Sequence, residues 1–150
     1  MDKFQILPHL IALASAYVLA FPIGWHRERE ERSAGLRTFP LVALAACGFV
    51  QATEAMLRTE PDGMARIVEG LITGVGFIGG GAIIKHGSAV RGTATAASLW
   101  ATGAIGAAVG LGNYDIAIMI SLFTAATLWF LSPLKSEKAP GGEQGAEPGG

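Results

Sequence analysis

Five long and almost uncharged apolar segments constrain this 150-residue chain more than any other feature. They cover residues 4–25, 40–57, 67–84, 94–112 and 116–134. The first and last contain no Asp, Glu, Lys or Arg. A helix rises about 1.5 Å per residue, so about 20 apolar residues cross the hydrocarbon core of a bilayer. The pattern therefore predicts an all-α, polytopic membrane protein with about five transmembrane helices.

The composition of the chain agrees with this class. Hydrophobic residues make up 51% and charged residues 15%, where soluble domains average about 25% charged. The net charge of −1 gives no electrostatic reason to expect a nucleic-acid partner. A single cysteine, Cys47, excludes an internal disulfide. The first apolar run continues past a signal-peptide-like Ala-Ser-Ala to Trp25, which favours an uncleaved first span.

The third apolar segment is rich in glycine. Its glycines are Gly70, Gly74, Gly76, Gly79, Gly80 and Gly81. Three of them match the spacing of the dinucleotide fingerprint, but the next acidic residue is Asp115, far too distant, and the segment that follows is apolar on all sides. In a membrane helix, such glycines indicate close packing between helices or a broken helix beside a wet cavity. The pattern favours packing and leaves the broken helix open.

The fourth apolar segment carries a stripe of hydroxyl side chains. Thr95, Ser98 and Thr102 recur at spacings of three and four, so they share one helix face. One interpretation is helix packing, with hydroxyls bonded to backbone carbonyls. The other is a polar wall that faces the third segment and lines an ion path. The glycines on the other side of that path would be Gly74, Gly76, Gly79, Gly80 and Gly81.

The distribution of Lys and Arg predicts the orientation. Alternate connections and the C-terminal tail hold eight of these residues on one side, and the opposite side holds three. Cytoplasmic loops carry the excess of basic residues, so we expect the N-terminus outside and the C-terminus in the cytoplasm. Residues 135–150 are rich in Pro, Gly and Glu and are predicted to form a disordered cytoplasmic tail.

Several polar residues cluster at the predicted cytoplasmic boundary. They are Arg27, Glu28, Arg37, Thr38, Lys85 and Arg91. The positive-inside rule alone explains their side of the membrane. The alternative is a binding site for a ligand, an anionic lipid headgroup or a partner protein.

A Mg²⁺ site would need hard oxygen ligands, usually carboxylates. The candidates are Glu28, Glu69 and Asp115, all near segment ends. Their position favours solvation at helix ends for Glu69 and Asp115, with an outer vestibule as the alternative, and ion pairing with neighbouring arginines for Glu28. We therefore assign no metal site and no cofactor, and expect Mg²⁺ only as a ligand or substrate. The chain also lacks a phosphate-binding loop and a nucleophile–base spacing, so we do not expect an enzyme.

Two blocks of the sequence resemble the MgtC/SapB family of bacterial inner-membrane proteins. The first is IGWHRE at residues 23–28 with AGLRT at residues 34–38. The second is GVGFIGGG at residues 74–81, with VRG at residues 90–92 and TAASLWAT at residues 95–102. Together they identify residues 1–134 as a transmembrane domain of this kind.

The resemblance implies a multi-pass protein of the bacterial inner membrane, linked to adaptation to low magnesium and, in some members, to virulence. It also implies the F-type ATP synthase as a partner of some members. His26 stands where the family usually has Glu, and many members carry a further soluble C-terminal domain.

Two hypotheses follow for the function. The first is a regulatory protein of Mg²⁺ homeostasis that modulates a membrane partner. The second is a transporter or channel for Mg²⁺ or another small ion, with its path between the third and fourth helices. One chain has few helices for alternating access, so transport would require a homo-oligomer.

Overall fold

The computed structural model describes residues 6–30, 34–57, 61–86 and 89–131. Within these ranges the chain is all-α apart from one small hairpin. The five helices are α1 Ile6–Arg29, α2 Thr38–Leu57, α3 Pro61–Gly81, α4 Thr93–Gly110 and α5 Tyr114–Leu131. Each helix overlaps one of the five apolar segments, so the all-helical prediction is confirmed. Helix α3 begins at Pro61, so the prediction of a polar loop up to Arg66 is wrong for residues 61–66. The predicted disordered tail, residues 135–150, lies outside the described residues.

Two of these helices, α1 and α5, are long and apolar enough to cross a membrane. The apolar part of α2, Thr38–Thr53, is shorter, and the Gly, Ser and Thr of α4 lower its mean hydropathy. Large apolar side chains on α1 and α5, such as Leu7 and Phe130, are exposed. Extensive exposed apolar surface marks contact with a membrane or a partner. The five-span topology and the orientation of the termini remain predictions.

Helix α4 occupies the centre of the bundle and packs against each of the other four helices. Its glycines make this packing close. A Cβ atom on Gly103 would lie 2.8 Å from the Val75 side chain of α3, and one on Gly110 would lie 2.8 Å from Val50 of α2. A Cβ on Gly106 would overlap the carbonyl oxygen of Ala43 on α2. Small residues at these positions let the helix backbones approach one another.

Helix α3 is continuous from Pro61 to Gly81, so the broken-helix alternative is wrong for these residues. The predicted packing role applies to only one of its six glycines. A Cβ on Gly79 would lie 3.1 Å from the carbonyl oxygen of Ala96 on α4. At the other five positions, Gly70, Gly74, Gly76, Gly80 and Gly81, a Cβ would meet nothing within 4 Å. Most of the glycine surface of α3 is therefore open.

The connection between α3 and α4 is a hairpin rather than a simple basic turn. Strands β1 (Ile84–His86) and β2 (Ala89–Arg91) pair antiparallel, and α3 ends three residues before the predicted boundary. Gly92 then turns the chain into α4 with φ +90°, and a Cβ there would overlap the carbonyl oxygen of Ala82. Both conditions require glycine.

Four contacts show that α1, α3 and α5 end where α2 and α4 begin. Arg27 bonds Thr95, and a Cβ on Gly24 would lie 3.3 Å from the Cβ of Phe39 in the first turn of α2. Gly79 packs on Ala96, and the rings of His26 and Trp129 stack with centroids 6.4 Å apart. We call this the basic end of the bundle. The basic residues described there are Arg27, Arg29, Arg37, Lys85 and Arg91.

Replacing Gly106 with Ala tests the packing around α4. The new methyl would overlap the α2 backbone at Ala43, and overpacking a closed interface costs about 1–3 kcal/mol. We expect Gly106→Ala to lower the thermal unfolding midpoint in detergent, followed by intrinsic tryptophan fluorescence. Gly80→Ala is the matched control, because its methyl enters open space and alanine favours the helix. Equal midpoints for the two variants would contradict the assigned packing.

Candidate functional site at the basic end of the bundle

A buried cation links α1 to α4. Arg27 lies in the last turn of α1 and is 4% exposed, and its guanidinium donates a hydrogen bond to the hydroxyl oxygen of Thr95 in the first turn of α4. Thr95 is 1% exposed. A buried charge is costly unless it is hydrogen bonded. Arg27 therefore holds two helices together at this end and does not face a ligand in solution.

Glu28 fastens the loop between α1 and α2. Its carboxylate oxygen Oε2 accepts a hydrogen bond of 3.0 Å from the backbone N–H of Leu36. The carbonyl of Gly35 in turn accepts the N–H groups of Thr38 and Phe39, at 3.0 and 3.2 Å. Arg32, the arginine four residues on that the sequence pairs with Glu28, lies outside the described residues, so that ion pair stays a prediction. The loop is thereby folded back onto the end of α1.

The hairpin places its two basic residues on opposite faces. Ile84 pairs with Arg91, and Lys85 pairs with Val90. Paired residues share a face and successive residues alternate, so Lys85 and Arg91 point to opposite sides of the ribbon. Both are exposed. The six predicted binding residues thus share one end of the bundle without converging on one site.

The hydroxyl stripe of α4 faces the interior of the bundle, and two of its three hydroxyls bond to backbone carbonyls of their own helix. The Ser98 hydroxyl donates to the carbonyls of Ala94 and Thr95, at 2.7 and 3.0 Å, and the Thr102 hydroxyl donates to the carbonyl of Ser98 at 2.8 Å. Both side chains are buried. This is the packing interpretation of the stripe rather than the polar wall.

The space proposed for an ion path is filled by packed atoms. The α3 side chain of Val75 sits against Gly103, and the backbone of α3 at Gly79 sits against Ala96. The five glycines predicted to line the path therefore do not do so, since four of them face open space and Gly79 is in contact with α4.

The predicted metal ligands are dispersed over the surface. Glu28, Glu69 and Asp115 are each exposed. Within the part of the chain that the structure describes, no three His, Cys, Asp or Glu side chains converge. The three carboxylates are therefore not assembled into a Mg²⁺ site in this single chain.

A groove between α2 and α3 is a feature that sequence reasoning missed. It has a volume of about 760 Å³ and almost wholly apolar walls, and we call it the α2–α3 groove. The α2 wall includes Leu41, Ala45 and Phe49, and the α3 wall includes Gly70, Gly74 and Ile78. Arg37 and Arg66 lie at its two ends. The signal in the sequence was the spacing of Gly70 and Gly74, which places two side-chain-free positions on one face of α3.

Replacing Thr95 with Val tests the link to Arg27. The variant keeps the shape of the side chain and leaves the buried guanidinium without the hydroxyl oxygen. Hydrogen bonds to charged groups contribute about 1.5–3 kcal/mol, so we expect a clear fall in the thermal unfolding midpoint. Thr127→Val is the control, because this exposed hydroxyl bonds only the Phe123 carbonyl of its own helix and surface changes stay within about 0.5 kcal/mol. Equal midpoints would show that the Arg27–Thr95 bond does not stabilise the bundle.

Comparisons with known proteins agree with the family resemblance that the sequence motifs at this end carry. Residues 13–137 match the model of the MgtC family. The protein MgtC of Salmonella typhimurium is 36% identical over 121 residues, which cover 81% of this chain and 51% of the relative. The protein MgtC of Brucella abortus is 39% identical over 129 residues, which cover 85% of this chain and 53% of the relative.

The chain thus spans about half the length of the curated relatives it matches. No solved structure is significantly similar to it. The match to the family model extends through all five helices and includes both motif blocks at the basic end. The chain therefore belongs to the MgtC family of membrane proteins.

Proposed function

We propose that this protein acts in the bacterial inner membrane, in Mg²⁺ homeostasis under magnesium limitation, by modulating a membrane partner. Membership of the MgtC family supports the link to magnesium at the level of the family. The proposed mode of action rests on which helix surfaces are packed against neighbouring helices and which are exposed. The F-type ATP synthase, which the family resemblance implies as a partner of some members, is the first partner to test.

The observation that carries this proposal is the open surface of α3. Gly76 and Gly80 lie about 200° and 240° around the helix from Gly74, so they face away from the α2–α3 groove. A Cβ atom at either position would meet nothing within 4 Å, and the neighbouring Phe77 is 84% exposed. Two small residues four apart let a second helix approach closely in a membrane. We call this surface, formed by Gly76, Phe77 and Gly80, the outer glycine face.

Transport by a single copy has less support from the geometry. A Mg²⁺ path would require hard oxygen ligands at membrane depth. The buried hydroxyls of Ser98 and Thr102 are bonded to backbone carbonyls, and α3 packs directly on α4 where the path was predicted. A modulating role uses the exterior of the bundle and needs no such path.

Growth under magnesium limitation tests the role of the outer glycine face. We expect the wild-type chain to restore growth of a host that lacks its own MgtC-family protein, and Gly76→Leu with Gly80→Leu to fail at equal abundance in the membrane. The added side chains would hold a partner helix away. Val18→Leu with Phe123→Leu is the control, because these exposed positions lie on α1 and α5. Full growth with the double glycine variant would overturn the assignment of this surface.

Mg²⁺ flux into proteoliposomes separates modulation from transport. We expect the purified and correctly oriented protein to give no flux above that of empty vesicles. Saturable flux that is lost when Arg91→Ala and Ser98→Ala are combined would establish transport and contradict the proposal.

A further inference from the structure

We infer that the α2–α3 groove binds an anionic phospholipid, with the headgroup phosphate at Arg37 and one acyl chain lying along the groove over Gly74 and Gly70. The groove is apolar along its middle, and an arginine lies at each of its ends. An anionic phospholipid likewise has a charged headgroup and an apolar chain. This site does not depend on the outer glycine face, which lies on the other side of α3.

The length of the groove fits an acyl chain of one leaflet. Gly74 and Gly70 lie about 6 Å and 12 Å along α3 from Ile78, at 1.5 Å per residue. Ile78, close to the end of α3, and Arg37, just before α2, are both at the basic end of the groove. Half of a hydrocarbon core about 30 Å thick is about 15 Å. An acyl chain that begins at Arg37 therefore passes both glycines before it reaches the middle of the membrane.

Arg37 is the better of the two cations for a phosphate. It is exposed, and within the described ranges no acidic side chain forms an ion pair with it. Arg66, at the other end, is three residues from Glu69 and four from Asp62, positions that are neighbours on a helix surface. These two carboxylates repel an anion. Basic pockets between helices near the cytoplasmic surface recognise anionic headgroups in this way, and arginine binds phosphate through paired donors.

The volume of the groove argues against a helix as its occupant. Thr38 and Thr53, which both line the groove, are separated by about 22 Å along α2. A helix about 10 Å across fills about 1,700 Å³ over that length, more than the roughly 1,430 Å³ of empty space in the groove, part of which is open to the surroundings. The exposed Leu41 and Phe49 at its edge open it to the surrounding bilayer, where lipid is the abundant species.

Native mass spectrometry of the detergent-solubilised protein tests the site. Phosphatidylglycerol and phosphatidylcholine with identical acyl chains are added in turn, and the fraction of protein with one bound lipid is measured. We expect the wild type to prefer phosphatidylglycerol. We expect Arg37→Gln to weaken phosphatidylglycerol binding about tenfold, the effect of losing one charged hydrogen bond, and to leave phosphatidylcholine binding unchanged. Gly74→Leu and Gly70→Leu should each abolish binding of both lipids.

Matched variants keep the outcome specific to the groove. Arg29→Gln removes the same charge at the same end of the bundle, and Gly76→Leu makes the same substitution on the same helix; neither position lines the groove. Both should retain the wild-type preference, with helix content checked by circular dichroism. Equal losses of phosphatidylglycerol binding in Arg37→Gln and Arg29→Gln would show that binding depends only on the general positive charge at this end. That result would overturn the site. Unchanged binding in Gly74→Leu and Gly70→Leu, or a dimer that these variants abolish, would also overturn it.

Because Gly76→Leu blocks the proposed partner surface and leaves the groove open, the two assignments fail separately. Loss of growth with lipid binding retained supports the partner surface alone. Loss of lipid binding in Gly74→Leu while Gly76→Leu retains it supports the groove, whatever the growth experiment shows.

Discussion

The close approach of helix backbones to α4 is the constraint on which the rest of the bundle depends. Lipid chains are as apolar as leucine, so burial of apolar surface contributes little to helix association inside a bilayer, and close packing takes its place. At Gly103, Gly106 and Gly110 the neighbouring atoms leave no room for a methyl group. The three contacts face Val75 of α3 and the backbone and side chains of α2. A helix with larger residues at these positions would hold both neighbours apart.

The buried Arg27 is tolerated because this packing brings Thr95 to it. The guanidinium sits at the end of α1, where its bond to Thr95 satisfies part of a charge that the interior would otherwise exclude. Glu28, the next residue, uses its carboxylate on the loop backbone at Leu36. Arg27, Glu28 and Thr95 of the motif blocks thus make contacts inside the protein at the basic end. Arg37, Lys85 and Arg91 of the same blocks are exposed.

The sequence predicted the number and type of the helices well, because each apolar segment is long and bounded by charge or by turn residues. It also placed Thr95, Ser98 and Thr102 on one face, since helical spacing alone decides that. It failed to distinguish the glycines that pack from those that do not. Gly79 and Gly80 belong to the same run of glycines, and nothing in the sequence separates them. Only the position of α4 places Gly79 in a helix contact and leaves Gly80 without one.

Two further differences have physical causes of the same kind. The carboxylate of Glu28 accepts the N–H of Leu36, a contact that spans eight residues and depends on how the loop folds, so helical spacing does not predict it. Strands β1 and β2 of the hairpin are only three residues long. The sequence therefore predicts Ile84 to be the end of the third helix rather than the start of a strand. The α2–α3 groove is formed by two helices together, and the spacing of Gly70 and Gly74 indicates only the α3 wall of it.

Helix α3 has open surfaces on two sides. It is held by α4 through Val75 and Gly79, while the α2–α3 groove separates much of it from α2 and the outer glycine face is uncovered. An occupant of the groove and a partner on the outer face would therefore bear on opposite sides of one helix. A ligand shifts a conformation only by binding one state better than another. If the lipid and the partner each bind one position of α3 relative to α2 better than another, the two binding events are coupled, and each changes the affinity of the other by the same factor.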